Sequence, residues 1–143
     1  MSNKDTFKLE NQLCFPLYAA SKEVIRRYNP LLKKLDLTYT QYLVMMVLWE
    51  KDGIRISDIC GRLRLDTGTV TPMLKKMEDE GLLKRSRCAD DERTVLITLT
   101  EQGLGLKEKA GDIPAKVGPC VPLNKEEAEL LYRLLYQILS EEA

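Results

Sequence analysis

The stretch that decides the fold is ISDICGRLRLDTGTVTPMLKKME, residues 56–78. It opens with the short, half-apolar pattern of a positioning helix, and a polar turn separates this from a second helix predicted over residues 68–78. In the second helix Val70, Leu74 and Met77 recur at the i, i+4 and i+7 spacing of one buried stripe. Two short helices joined by such a turn predict a helix-turn-helix.

The face of the second helix opposite the buried stripe carries small hydroxyls followed by two cations. This order suits a recognition helix, because the first residues of such a helix contact base edges in DNA while later cations meet phosphate. The expected DNA contacts in this segment are Thr67, Thr69, Thr71, Pro72, Lys75 and Lys76. An ordinary pair of surface helices would have the same periodicity, so the following segment has to distinguish the two interpretations.

A β-hairpin is predicted directly after the second helix. Gly81 ends the helix, since glycine readily adopts the positive φ that a helix end requires. Residues 82–88 and 94–99 then have the composition of two strands, and residues 89–93 form a polar loop between them. Helix, helix and hairpin in this order predict a winged helix-turn-helix.

The hairpin carries cations where it would approach DNA. Lys84, Arg85 and Arg87 form a basic first strand, and Arg93 lies near the predicted tip. An arginine at a wing tip can enter a narrow minor groove, where the negative potential is strongest. We expect Asp91 to pair with the Arg93 guanidinium and hold it extended. The DNA contacts expected from the wing are Arg87, Asp91 and Arg93.

The overall charge is balanced, but its distribution is uneven. The 143 residues include 22 basic and 22 acidic ones, so no net positive charge draws the chain to nucleic acid. Basic residues concentrate in the first two thirds and acidic residues at the C-terminal end, which favours sequence-specific binding over nonspecific coating of DNA. The sequence has no signal-peptide pattern and no apolar run of membrane length, which predicts a cytoplasmic protein without a membrane partner.

The remaining chain is predicted to be mostly helical. A first helix is expected over residues 10–27 with a break at Pro30, and a later one runs from Thr38 to Trp49. Thr38 and Gln41 have the spacing of a capping box, which satisfies free N–H groups at a helix start. The fold class is therefore mainly α with a small β wing.

The C-terminal third indicates how the molecule is organised. Residues 54–56 suggest a short first strand, residues 101–110 a helix, and the glycines and prolines after Gly111 a kinked segment. Asn124 caps a last helix whose apolar face contains Leu130, Leu131, Leu134, Leu135 and Ile138. Such a helix needs a partner, and a two-fold homodimer provides one. We expect one domain over 1–143, with a winged helix-turn-helix at 38–100 between dimerisation helices in 1–37 and 101–143.

The chain has no histidine and four widely spaced cysteines. The missing histidine excludes His-dependent triads and His metal ligands, and without a C-x-x-C pair we predict no metal and no cofactor. Cys60 is expected to be a plain buried thiol, and Cys88, at the end of a wing strand, is given no role. A disulfide framework is not expected in a cytosolic protein.

Two motifs give the chain a family resemblance. Asp91-x-Arg93 in the wing and the Leu-Thr-x-x-Gly run from Leu99 to Gly103, with the helix before them, resemble the MarR-type winged-helix regulators. The resemblance covers nearly the whole chain. It implies a dimer that binds double-stranded operator DNA.

A more specific resemblance involves the first helix. Residues 11–15 (NQLCF), 17–21 (LYAAS) and 37–42 (LTYTQY) are similar to the organic hydroperoxide resistance regulators of the MarR family. By this resemblance Cys14 is the peroxide-sensing cysteine, and the hydroxyls of Tyr28 and Tyr39 bond to its sulfur from across the dimer.

The chemistry of a peroxide sensor fits these residue types. A thiolate, not a thiol, attacks the O–O bond and becomes a sulfenic acid, and a helix N-terminus favours the anion. Apolar neighbours such as Leu13, Phe15 and Leu17 favour organic hydroperoxides over hydrogen peroxide. Pro16 is tolerable in a first helical turn.

Cys120 determines the subtype that the resemblance implies. Regulators of this type have one-cysteine and two-cysteine forms, and Cys120 falls about where the second form has its resolving cysteine. The resemblance then implies a disulfide between Cys14 and Cys120 of the other subunit, which would weaken DNA binding. In the alternative, Cys120 is passive and a small thiol caps Cys14.

Two other functions stay open. One is a MarR-type repressor released by a small aromatic ligand, with no redox role for Cys14. The other is a thiol peroxidase, which we disfavour because no arginine or threonine flanks Cys14 and a full wing is present. No enzyme activity and no catalytic residue are predicted.

Overall fold

The structure is a computed structural model that describes residues 3–140, and most of this range is helical. Three antiparallel strands form its small sheet. The helices are α1 Asn3–Thr6, α2 Cys14–Lys33, α3 Tyr39–Glu50, α4 Ile56–Leu63, α5 Thr67–Asp79, α6 Glu101–Lys109, α7 Ile113–Val117 and α8 Lys125–Ile138. The strands are β1 Ile54–Arg55, β2 Leu83–Cys88 and β3 Asp91–Leu99. No described helix is long and apolar enough to span a membrane.

Helix α2 differs from its prediction at both ends. It begins at Cys14 rather than at residue 10, because the amides of Asn11 and Gln12 donate to carbonyls of residues 5–8 and fold that segment into a separate turn. The predicted break at Pro30 is wrong, since Pro30 lies inside the helix. Proline costs one hydrogen bond there, and the completely buried Leu32 anchors the last turn against the core.

Side-chain caps fix the starts of the other long helices, as predicted for α3 and α8; α5 begins at Thr67, one residue earlier than predicted, behind a cap that was not predicted. Thr38 and Gln41 form the expected capping box at α3, with Gln41 N–H donating to Thr38 Oγ1 over 3.2 Å. Asp66 caps α5 by accepting from the Thr69 N–H at 2.7 Å. Asn124 and Glu127 form a second capping box at α8. These caps satisfy N–H groups that a helix start leaves without partners.

The sheet has the order β1-β3-β2. Leu83 pairs with Leu99 and Arg85 with Ile97, so alternate side chains of the hairpin turn toward the core. A bulge between Arg87 and Cys88 shortens the turn, and Cys88 pairs with Asp91. Strand β3 therefore begins at Asp91, three residues earlier than predicted.

The core forms where the helix-turn-helix meets the sheet. Val70, Leu74 and Met77 are fully buried, which confirms the predicted stripe on α5. The C-terminal half of α2 and helix α7 join this core through Leu32 and Val117. In contrast, α8 buries none of its residues, and α2 buries none before Leu32. Two long helices therefore leave much apolar surface uncovered in one chain.

The Leu-Thr-x-x-Gly run joins the hairpin to α6. Thr100 Oγ1 accepts from the Gly103 N–H at 3.1 Å and donates to the Gly81 carbonyl at 2.6 Å. A Cβ on Gly103 would lie 2.2 Å from the Leu82 carbonyl oxygen, so only glycine fits. Trp49 Nε1 donates to the Gly103 carbonyl at 2.9 Å. The motif therefore fixes α6 against both the sheet and α3.

Candidate functional site

Helix α5 presents a polar face to solvent on the side away from its buried stripe. Five of the predicted DNA contacts on this helix are exposed and one, Thr71, is half-buried. Lys76 lies 4.0 Å from the Glu80 carboxylate, at the C-terminal end of the helix. The exposed members are Thr67, Thr69, Pro72, Lys75 and Lys76. The DNA contacts predicted for this helix therefore lie together on its polar side.

The recognition helix is tied to the hairpin by Glu78. Its carboxylate accepts from the backbone N–H of Arg85 at 2.7 Å and from Arg85 Nε at 3.2 Å. The backbone N–H is the main reason that the pKa of Glu78 is lowered, and the guanidinium adds to it. Arg85 therefore links β2 to α5, and within the basic first strand of the hairpin its guanidinium is paired with Glu78.

The wing tip is the two-residue turn after β2. Arg87 and Arg93 are both exposed beside it. The Asp91 carboxylate accepts from the backbone N–H of Arg93 at 3.0 Å and from the Thr94 hydroxyl at 3.0 Å. The predicted pairing of Asp91 with the Arg93 guanidinium is thereby corrected, because the carboxylate orders the backbone of the turn.

Cys14 is the first residue of α2 and is exposed. No side chain caps this helix end, and Leu13 occupies the cap position. The N–H groups of the first turn therefore keep their capacity to stabilise an anion. Pro16 lies in the first turn, where the helix accommodates it. Its near neighbours in sequence Leu13, Phe15 and Leu17 are exposed apolar side chains.

The tyrosines that the resemblance names lie together, far from this thiol. The rings of Tyr28 and Tyr39 have centroids 4.9 Å apart, and buried Tyr42 lies beside both. Burial, and then the neighbouring Tyr28, raise the pKa of Tyr39 above its ordinary value. Its hydroxyl therefore remains a hydrogen-bond donor well into the alkaline range.

The distance between Cys14 and Tyr28 follows from helix geometry. Both residues are on α2, fourteen positions apart. At about 1.5 Å of rise per residue, their backbones are separated by about 21 Å along the axis. The fold does not bring the thiol and the hydroxyls of one chain together.

Cys120 lies at the same end of α2 as the tyrosines. It is exposed at the end of a 3-10 turn over Gly118–Cys120. Arg27 Nη1 donates to the backbone carbonyl of Cys120, and Arg27 Nε lies 3.3 Å from the Glu23 carboxylate. The Cys120 thiol donates to the Lys116 carbonyl over 3.6 Å. Cys120 is thus tied to the residue that precedes Tyr28.

The other two cysteines are half-buried. For Cys60 this corrects the prediction of a fully buried thiol: its Sγ lies 4.0 Å from Thr67 Oγ1, at the start of the recognition helix. Within residues 3–140, no group of three or more Cys, Asp or Glu side chains has the arrangement of a metal site.

Sequence reasoning missed the contribution of two arginines. Arg27 reaches a carbonyl 93 positions away, and no local pattern signals such a contact. Arg64 ends α4 with a φ of 55°, a left-handed conformation that favours glycine, and its Nη1 donates to the Leu139 carbonyl at 3.0 Å. The sequence offered one hint for Arg64: it directly follows a predicted helix, at the position where a left-handed glycine often ends the helix.

Comparison with known proteins gives consistent matches. A family model described as transcriptional regulator SarA/Rot matches residues 26–110. The organic hydroperoxide resistance transcriptional regulator of Bacillus subtilis strain 168 is 52% identical over 143 residues, which cover 97% of this chain and 95% of the relative.

Two solved states of AbfR are also similar to the chain; AbfR is a Staphylococcus epidermidis protein. Reduced AbfR bound to DNA has a TM-score of 0.79 and 35% identity, covering 95% of this chain and 94% of AbfR. Disulfide-formed AbfR has a TM-score of 0.66 and 34% identity, covering 96% of both chains.

Proposed function

This chain belongs to the MarR-type winged-helix regulators, among the organic hydroperoxide resistance regulators, and we propose that it is a peroxide-sensing repressor. It is a DNA-binding transcriptional regulator. In the proposal, the reduced homodimer binds operator DNA and an organic hydroperoxide releases it by oxidising Cys14.

The DNA contacts are proposed to come from α5 and the wing. Thr67, Thr69, Thr71 and Pro72 at the N-terminal part of α5 would face base edges, and Lys75 and Lys76 would meet phosphate. Arg93, with its backbone ordered by Asp91, would enter the minor groove, and Arg87 would contact the backbone beside it. The Glu78–Arg85 contact supports this arrangement, because it holds helix and wing at one angle.

The dimer is proposed to use the two uncovered helices. Leu130, Leu134 and Ile138 on α8 are 48%, 43% and 61% exposed, and the start of α2 exposes Leu13 and Phe15. Apolar patches of this extent usually mark an interface. We therefore assign the dimerisation region to 1–37 and 101–143, and exclude from its interface the residues of α7 that face the chain's own core.

The separation of Cys14 from Tyr28 carries the redox part of the proposal. The backbones of Cys14 and Tyr28 are about 21 Å apart along α2, and the Tyr39 ring lies 4.9 Å from that of Tyr28, so these hydroxyls would meet a Cys14 sulfur that a second chain supplies. A two-fold dimer with antiparallel α2 helices would place Cys14 of each subunit near Tyr28 and Tyr39 of its partner. Two O–H donors and the free helix N-terminus would then stabilise the thiolate.

The proposed reaction has two steps, oxidation of Cys14 and attack on it by Cys120. The Cys14 thiolate attacks one oxygen of the hydroperoxide, the O–O bond breaks, and a proton completes the departing alcohol, leaving a sulfenic acid on Cys14. The Cys120 thiol of the other subunit then attacks the sulfenic sulfur, and the S–S bond forms as water leaves. Cys120 lies at the tyrosine end of α2, where the partner's Cys14 is proposed to lie, and the disulfide-formed state of AbfR supports such a step.

The test is a mobility shift of an operator duplex with and without cumene hydroperoxide. We expect peroxide to release the wild type, to leave Cys14→Ser bound, and to produce a dimer-sized band on a non-reducing gel that Cys120→Ser lacks. Release of Cys14→Ser by peroxide would refute the sensor. A parallel titration with salicylate tests the aromatic-ligand alternative, which predicts release irrespective of Cys14.

A further inference from the structure

We propose that Arg27 is a positioning residue for Cys120, and that it decides whether oxidised Cys14 becomes a disulfide or is oxidised further. The inference rests on the proposed function, since it presupposes that Cys14 of one subunit meets Cys120 of the other. It concerns a residue that neither reacts nor contacts the peroxide.

The contacts of Arg27 place it between α2 and the segment that carries Cys120. Its Nη1 donates to the Cys120 carbonyl, and its Nε lies 3.3 Å from Glu23, one turn earlier on α2. The Glu23 ion pair orients the guanidinium and leaves one of its donors to the carbonyl. Guanidinium groups suit this arrangement because their donors are fixed in a plane.

The Cys120 segment needs such a contact. Helix α7 is anchored by Ile113 and Val117, which are 3% and 4% exposed. Beyond Val117 the chain leaves the core: Gly118, Pro119 and Cys120 are exposed. The backbone bond from Val121 to Gly118 and the thiol bond to Lys116 are local, so they shape the turn without fixing it to α2. Arg27 makes the connection to α2.

The position of Cys120 matters because two reactions compete for the Cys14 sulfenic acid. In one, the Cys120 thiol attacks the sulfur, the S–O bond breaks, the S–S bond forms and water leaves. In the other, a second organic hydroperoxide transfers an oxygen to the sulfur and leaves as the alcohol, giving a sulfinic acid that is not reduced by thiols. The rate of the first reaction rises when Cys120 is held near the sulfenic acid. The rate of the second does not depend on the position of Cys120.

The experiment compares full-length wild type with Arg27→Ala, Arg27→Lys and Arg26→Ala. Arg26 is the matched control, because it pairs with the same Glu23 at 2.6 Å, and its Nε and Nη2 both donate to that carboxylate rather than to the Cys120 carbonyl. Each protein is treated with cumene hydroperoxide. Loss of the Cys14 thiol, yield of the disulfide-linked dimer on non-reducing gels, and sulfinic acid by intact mass are followed over time, with circular dichroism to check the fold.

We expect Arg27→Ala to lose the Cys14 thiol at the wild-type rate but to form the disulfide about fivefold more slowly, a change within reach of one charge-assisted hydrogen bond. The sulfinic fraction should rise correspondingly. Arg27→Lys should be intermediate, and it carries the test alone if Arg27→Ala fails to fold. Arg26→Ala should behave as wild type.

If Arg27→Ala and Arg27→Lys form the disulfide at the wild-type rate or faster, the inference about Arg27 is overturned while the proposed sensor stands. Equal slowing in Arg26→Ala would also overturn it, since the effect would then belong to the charge of α2. If the wild type keeps its Cys14 thiol under peroxide, the proposed function itself fails, and the inference with it.

Discussion

The guanidinium of Arg64 donates from Nη1 to the backbone carbonyl oxygen of Leu139 at 3.0 Å, and so joins the end of α4 to the end of α8. Arg64 adopts a φ of 55°, where an arginine pays a backbone cost that glycine avoids. The C-terminal carbonyls of α8 are the negative end of its dipole, which favours a cation there. The contact connects the proposed dimer helix to the turn that precedes the recognition helix.

Replacing Arg64 by glycine should therefore separate stability from signalling. The backbone strain is relieved, so we expect the melting temperature to hold or rise. Without the guanidinium, the ratio of DNA affinities between reduced and oxidised protein should fall, by about tenfold for one charge-assisted bond. Fluorescence anisotropy with an operator duplex measures the ratio. Arg62→Ala, which removes a neighbouring cation paired with Glu50, is the control; an unchanged ratio in Arg64→Gly would refute the coupling.

Removing the tyrosine hydroxyls should slow oxidation without affecting DNA binding. In Tyr28→Phe or Tyr39→Phe the partner's thiolate loses one donor, and we expect the rate of Cys14 oxidation by cumene hydroperoxide to fall about tenfold, as for one charge-assisted hydrogen bond. Stopped-flow loss of free thiol measures the rate. Tyr42→Phe alters the same ring cluster and should react as wild type. If Tyr28→Phe and Tyr39→Phe are oxidised as fast as Tyr42→Phe, the two tyrosines do not belong to the site.

Substitutions on α5 should distinguish positioning from base recognition. Lys75→Ala should weaken binding to every duplex alike and lower the salt dependence by about one phosphate contact. Thr69→Ala should mainly reduce discrimination between operator and mutated duplexes. Lys125→Ala, an exposed cation on α8, is the control. If Lys75→Ala and Thr69→Ala both bind DNA with wild-type affinity at several salt concentrations, the polar face of α5 is not the DNA interface.

The two glycines of α6 offer a matched pair for stability. Gly103→Ala would bring a methyl group to 2.2 Å from the Leu82 carbonyl oxygen, so α6 must move away from the sheet. We expect a loss of about 2–3 kcal/mol in the free energy of unfolding, as for other overpacked sites. Gly105 has nothing within 4 Å of the same position, and Gly105→Ala should stabilise by about 0.5–1 kcal/mol. Urea denaturation of both variants checks the opposite signs.

Acid should weaken the contact between α5 and the wing. The pKa of Glu78 is lowered by the Arg85 backbone N–H, so its charged form stabilises the fold above the ordinary carboxyl pKa. That stabilisation is lost as pH falls through the lowered pKa. Between about pH 6 and pH 3, wild type should therefore lose more unfolding free energy than Glu78→Gln, which cannot ionise. Asp79→Asn serves as the control, and parallel acid profiles for wild type and Glu78→Gln would contradict the assignment.

Local sequence patterns predicted the winged helix-turn-helix well, because its helices and caps depend on residues that are close in sequence. The buried stripe of α5 and the Thr38–Gln41 cap depend on residues within two turns of each other, and both are confirmed. The wing turn was predicted too long: a bulge lies between Arg87 and Cys88, and strand β3 already begins at Asp91, which pairs with Cys88.

The errors fall where distant residues decide the structure. Pro30 continues a helix because the buried Leu32 anchors the next turn, which the sequence of α2 alone does not reveal. Cys120 could be placed beside Arg27 only through the packing of α7 against α2. The assignment of Cys14 to peroxide sensing came from the family resemblance and not from any pattern of charge or periodicity.

Because Cys14 and Tyr28 are about 21 Å apart along one helix and Tyr39 lies beside Tyr28, a single subunit of the proposed sensor would lack a complete peroxide-reactive centre. Each centre of the proposed dimer would take its nucleophile from one polypeptide and its hydrogen-bond donors from the other. A mixed dimer of two inactive variants, one without the Cys14 sulfur and one without the Tyr28 and Tyr39 hydroxyls, would contain a single working centre. Dilution below the dimer's dissociation constant would then silence the proposed sensor, which would make assembly a precondition of detection as well as of operator binding.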